Sequence, residues 1–154
     1  MPQNVEIVRG FSESWTKRDL EGVLERVHPE VEFDWSTSRS PFRDVYRGRE
    51  GIRRFWTDQA DAFEEFTVEI EEVIECDSER LITVSKVRAK GRGSGVATEA
   101  RGAMLWNVRD GAIVSGKLFQ ERAEALRAAG LSYPGSGPAP SKIRGAFRCV
   151  PETL

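Results

Sequence analysis

Apolar residues near the start of the chain recur at helical spacing. Val5, Val8, Phe11 and Trp15 share one face of a helix that ends near Thr16-Lys17-Arg18. Asp19 then reads as the N-cap of a short second helix whose buried stripe is Leu20, Val23, Leu24 and Val27. His28-Pro29 ends it, because the residue before a proline is driven out of the α region. At that helix C-terminus His28 is expected to stabilise the helix dipole rather than to transfer protons. Val31 to Trp35 alternates with period two, which predicts a strand with Val31, Phe33 and Trp35 buried and Asp34 pointing away. Ser36 to Tyr46 lacks periodicity and reads as a loop. Gly48-Arg49-Glu50-Gly51 then leads into a third helix carrying Ile52, Phe55, Trp56 and Phe63, ending near Glu65.

From Thr67 the period changes to two and stays there. Val68 and Ile70, Leu81 to Ala89, Val96 to Val108 and Ala112 to Phe119 predict four strands in an antiparallel meander. Asp77-Ser78, the glycine-rich segment 91–95 and Arg109-Asp110-Gly111 supply the turns, the last a strong hairpin signal. Arg122 to Ala129 predicts a final helix with Gly130 at its C′ position. Residues 1–131 thus read as one domain. The Pro- and Gly-rich stretch that follows predicts a flexible tail over 132–154, removable without loss of the core.

Composition narrows the chemistry. A chain of 154 residues with 39% apolar and 31% charged residues suits one domain with a real core. No apolar run approaches the ~18 residues that span a bilayer. With the helical pattern starting almost at Met1, a cytoplasmic location and no membrane partner are expected. A net charge of −2 gives no nucleic-acid surface. Cys76 and Cys149 are far apart and read as free thiols. The single histidine excludes centres that need two or three imidazoles. No metal and no cofactor are expected.

The phrases Ser14-Trp15-Thr16-Lys17-Arg18-Asp19-Leu20, Val27-His28-Pro29-Glu30-Val31, Tyr46-Arg47-Gly48-Arg49-Glu50-Gly51-Ile52, Gly91-Arg92-Gly93-Ser94-Gly95 and Arg122-Ala123-Glu124-Ala125-Leu126, in this order, resemble the nuclear transport factor 2-like superfamily. Within it the chain is similar to the SnoaL-like polyketide cyclase and ketosteroid isomerase group. The resemblance implies an α+β fold in the order α-α-β-α-β-β-β-β. A cone-shaped, curved antiparallel sheet, packed against three N-terminal helices, would surround an apolar pocket. It also implies where an isomerase would keep its catalytic groups. The first-helix tyrosine falls on Phe11, the strand-end base on Trp35, the late-strand acid on Met104 or Ala103, and a supporting tyrosine on Trp56. Each of these positions is apolar here. A strand slipped by one residue would bring Asp34 to the base position, but it would turn Val31, Phe33 and Trp35 outward. The aspartate that epoxide hydrolases of this fold need in the last strand is replaced by Lys117.

Two functions stay open. The first is a cofactor-independent cyclase or isomerase acting on a hydrophobic cyclic or polyketide-like molecule, with Asp34, Tyr46 or Gln120 as its polar contact. The second is a non-catalytic protein that holds an apolar ligand or partner in the same concavity. Either would use a pocket built from Phe11, Trp15, Trp35, Phe55, Trp56, Met104, Trp106 and Leu118. Arg88, Lys90, Arg92 and Arg101 surround a glycine-rich hairpin without a following helix, and read as a solvated positive edge rather than a phosphate site. A homodimer is expected, by resemblance and because Leu105 and Phe119 lie opposite Trp106 and Leu118 on the sheet and need a second cover.

Overall fold

The computed structural model describes residues 2–38 and 43–131. The predicted 132–154 tail lies outside the described residues. In chain order the elements are helices α1 (Pro2–Thr16) and α2 (Leu20–Glu25), strands β1 (Val27–Asp34) and β2 (Val45–Arg47), helix α3 (Gly48–Ala62), strands β3 (Phe63–Glu75), β4 (Arg80–Gly91), β5 (Ala97–Arg109) and β6 (Ala112–Phe119), and helix α4 (Arg122–Ala128).

The strands form one open sheet in the order β2-β1-β6-β5-β4-β3. β3 to β6 make the predicted meander. Its last turn works because Asp110 and Gly111 both take positive φ, at 52° and 79°, which matches the twist of the flanking strands. β1 pairs parallel with β6, an arrangement that needs the long connection through α3 and the meander.

The structure corrects the start of this strand. α2 stops at Glu25, and His28-Pro29 belong to β1. The Arg26 guanidinium donates to the Gly22 carbonyl at 2.7 Å, while the Ile113 amide donates to the Arg26 carbonyl at 2.8 Å and draws the chain into the sheet. Pro29 is tolerated because the β1–β6 register is broken between Val27 and Glu32, so no ladder bond is lost there. His28 therefore caps no helix; its Nδ1 accepts from the Glu30 amide at 3.0 Å. The segment read as loop up to Tyr46 ends in β2, where Tyr46 pairs with Phe33.

Two cores lie on opposite faces of the sheet. On the concave face Val8, Phe11 and Trp15 of α1 and Ile52 and Phe55 of α3 pack against Phe33, Leu81, Met104 and Trp106. On the convex face Ala125 and Leu126 of α4, with Ala129 and Leu131, cover Ile74, Ile82 and Ala103. α4 is closed at both ends. Glu121 and Glu124 form a capping box, and the Leu131 amide donates to the Leu126 carbonyl while Gly130 takes a φ of 77°. Leu105 and Phe119 pack beside this second cluster, so the chain itself supplies part of the cover that a second subunit was expected to give. No helix among the described residues is long and apolar enough to cross a membrane.

Candidate functional site

Helical spacing aims Phe11 and Trp15 from α1, and Phe55 and Gln59 from α3, at the concave face of the sheet. Strand alternation brings Phe33, Thr83, Ser85, Met104, Trp106 and Leu118 up to meet them. Between them lies a cavity of about 70 Å³. Trp35, just past β1, forms part of its wall. Trp35, Gln59, Phe66, Val87, Gly102 and Leu118 also line a wider concavity of about 470 Å³ toward the uncovered end of the sheet. A side space of about 200 Å³ adjoins Trp15, Trp56 and Gln59.

The inner wall is mostly apolar: seven of its sixteen described residues are aromatic, and Ser12, Gln59, Thr83 and Ser85 are its polar members. Phe33 has ring centroids 5.8 Å from Phe11, 5.6 Å from Phe55 and 6.0 Å from Trp35, and Trp35 lies 4.9 Å from Phe55. Gly116 makes the close packing possible on β6, since a Cβ there would meet the Trp106 ring at 3.0 Å and the Met104 methyl at 3.1 Å. Two buried indoles find acceptors. Trp106 Nε1 donates to Thr83 Oγ1 at 2.9 Å, and Trp15 Nε1 donates to Gln59 Oε1 at 2.5 Å. Trp35 Nε1 and Gln59 Nε2 are buried without a hydrogen-bond partner. None of the described residues that line the inner cavity is titratable.

The expected pocket residues thus come together, with Trp56 displaced. Phe11, Trp15, Trp35, Phe55, Met104, Trp106 and Leu118 line the inner cavity, while Trp56 stands behind Trp15 at 5.1 Å and lines the side space. Of the expected polar contacts, Gln120 lines the wider concavity and donates through Nε2 to the Thr37 carbonyl at 2.8 Å. Asp34 and Tyr46 line none of these three spaces.

Asp34 sits on the strand face opposite Phe33 and Trp35. Burial would raise its carboxyl, but the Ser36 hydroxyl and amide donate to it at 2.6 and 2.9 Å. Together with Lys117 at 4.0 Å and Arg47, they hold it below its ordinary value. Tyr46 is 2% exposed, its ring tilted against Phe55 at 4.7 Å and lying 4.5 Å from the Arg54 guanidinium. Burial pushes its phenol above the ordinary range; Arg54 opposes the rise, and Asp44 and Asp58 add to it.

The glycine-rich hairpin carries no free positive edge. Arg88 pairs with Glu99 at 2.9 Å, Arg101 with Glu71 at 2.8 Å and Lys90 with Glu64 at 3.7 Å, and Arg92 donates to the carbonyls of Ala60 and Phe63. Sequence reasoning missed Gln59. The signal was present, because an amide four residues after Phe55 falls inside the apolar stripe of α3, and a polar side chain there needs a partner.

Helices closing one end of a curved, open sheet around an apolar cavity define the nuclear transport factor 2-like architecture. The chain is 23% identical to an NTF2-like protein of unknown function from Burkholderia pseudomallei, with a TM-score of 0.69 over 82% of this chain and 97% of that one. It is 17% identical to a candidate polyketide cyclase from Xanthomonas campestris, with a TM-score of 0.67 over 83% and 97%. It is also 17% identical to RV0760c from Mycobacterium tuberculosis, solved in complex with estradiol-17beta-hemisuccinate, with a TM-score of 0.67 over 79% and 95%. The SnoaL-like domain model matches residues 8–116, and the chain belongs to that family. No curated protein matches it.

Proposed function

We propose that this protein binds a hydrophobic, ring-bearing small molecule in the aromatic cavity and holds it without acid–base chemistry from the cavity wall. The observation that carries the reading is the inner wall itself, where aromatic and aliphatic side chains with a few neutral hydroxyl and amide groups surround the space and no described lining residue can gain or lose a proton near neutral pH. General acid–base catalysis needs such a group within hydrogen-bond reach of the reacting atom. The steroid ester held by RV0760c favours a ligand of this kind.

A second reading, a cofactor-independent cyclase or isomerase, draws on the family and on the Xanthomonas neighbour. It would need Asp34 to swing from Ser36 toward the cavity mouth. A 5-ene-3-ketosteroid titration separates the two, following tryptophan emission and the absorbance of the conjugated product together. Quenching without product is the expected result. Product formation abolished by Asp34→Asn would establish the enzyme. A homodimer in the cytoplasm remains our expectation for the assembly, and monomeric sedimentation at micromolar concentration would overturn it.

A further inference from the structure

The cavity holds two donor nitrogens that the fold leaves without acceptors. Trp15 and Trp106 each donate to a side-chain oxygen, at 2.5 and 2.9 Å, so the sequence provides acceptors for buried indoles where the fold requires them. It provides none for Trp35 Nε1. Gln59 is 4% exposed, and its orientation is fixed by Trp15, because an indole only donates and must face Oε1. The amide nitrogen is thereby turned away from Trp15, buried and without a partner. Trp35 and Gln59 line both the inner cavity and the wider concavity. An unsatisfied buried donor is costly, so a pair of them on one cavity is an observation about what the cavity receives.

Resting on the reading of this cavity as a ligand site, we infer that its ligand is a neutral ring compound bearing a carbonyl, whose oxygen accepts from Trp35 Nε1 and Gln59 Nε2. The donor set selects the chemistry. Water or a hydroxyl could accept from these groups, but each brings hydrogens that must find acceptors among Ser12, Thr83 and Ser85, of which Thr83 Oγ1 already serves Trp106. A carbonyl oxygen brings none. A carboxylate would accept equally well but would be a buried charge, and the inner wall offers no cation to pair with it. The remaining surface of the ring would lie against Phe33, Phe55 and the Trp35 ring, which pack 4.9 to 6.0 Å apart.

The test uses 1-indanone and indane, which share a bicyclic frame and differ at one carbonyl, each displacing Nile red from the full chain while indole proton resonances are followed by NMR. In the wild type the ketone is expected to displace the dye at roughly tenfold or more lower concentration than the hydrocarbon. It should also shift one indole N–H resonance, identified as Trp35 by its absence from Trp35→Phe. Trp35→Phe and Gln59→Met should each shrink the ketone preference while leaving indane affinity nearly unchanged. Gln59→Met keeps the length of the side chain and a weak sulfur acceptor for Trp15 while removing the amide donor without adding charge, so it remains informative if Trp35→Phe folds poorly. Equal affinity for ketone and hydrocarbon in the wild type would overturn the inference and leave the apolar pocket standing. An undiminished preference in both variants would overturn it by placing the carbonyl elsewhere. Failure of Nile red and both bicycles to bind would overturn the pocket reading as well.

Discussion

The three long strands β3, β4 and β5 live in two different environments along their length. At one end Leu81, Ile82 and Thr83 of β4 and Ala103, Met104 and Trp106 of β5 are buried, with α1 and α3 over the concave face and α4 over the convex one. At the other end Ala97 to Arg101 are exposed, and Val96 at the hairpin is 60% exposed. There Arg88 pairs with Glu99 and Arg101 with Glu71, while Lys86 lies 3.9 Å from both Glu71 and Glu99. β4 and β5 pair without a break through both halves, so hydrogen bonding between them does not distinguish the two ends. What differs is the layer above. The covered end is a packed core with a small cavity, and the uncovered end is a charged outer surface over a concave floor of small residues such as Ala89, Ala100 and Gly102.

Substitutions should divide along that line. Phe55→Ala removes a ring that touches Trp15, Phe33, Trp35 and Tyr46, and should cost about 3–5 kcal/mol in urea denaturation, the largest effect expected. Thr83→Val keeps the shape of the strand but leaves the Trp106 indole without its acceptor; a loss of about 1–3 kcal/mol is expected in the same measurement.

Asp34 should matter at neutral pH and cease to matter in acid. Its folded carboxyl is held below its ordinary value of 3.8, so the stability it contributes is present above that pH and is lost as pH falls through the lower folded value. Asp34→Asn should therefore lower the melting temperature modestly at neutral pH, with the difference from wild type shrinking as pH falls below 3.8, so that the acid limb of the variant's profile is flatter. Arg101→Ala, in the solvent-screened lattice of the uncovered end, should leave the melting temperature within experimental scatter. A large loss there would show that the uncovered end is held by its charges, and the contrast between the two ends would fail.

The same contrast explains what could be read in the sequence. Periodicity reveals which face of an element is apolar, so the phase of Val31, Phe33 and Trp35, the stripe of α1 and the inward positions of β5 were legible. So were Gly111 and Gly130, where a positive φ was required. Partners supplied by distant segments were not legible. β2 exists because Tyr46 pairs with Phe33, and three residues carry too little pattern to declare a strand. His28-Pro29 looked like a helix end, and only the register break against β6 shows how a proline fits a strand there. Gln59 was hidden because apolar neighbours dominate its stripe, and its meaning depends on Trp15 from another helix. Tyr46 read as a mouth hydroxyl because its burial under Arg54 and against Phe55 comes from α3.

The parallel pairing of β1 with β6 has a consequence for how the chain comes to be folded. The meander can form from neighbouring hairpins, each closing a short loop. β1, by contrast, must wait for a partner that lies almost at the far end of the domain, and contacts of such long sequence separation slow folding because the chain entropy of closure comes before the reward. Phe33 travels on that strand, and Trp35 immediately follows it. The aromatic wall is therefore expected to be among the last parts of the molecule to assemble, and a nascent chain released before residue 119 would carry its tryptophans without the cavity that they line.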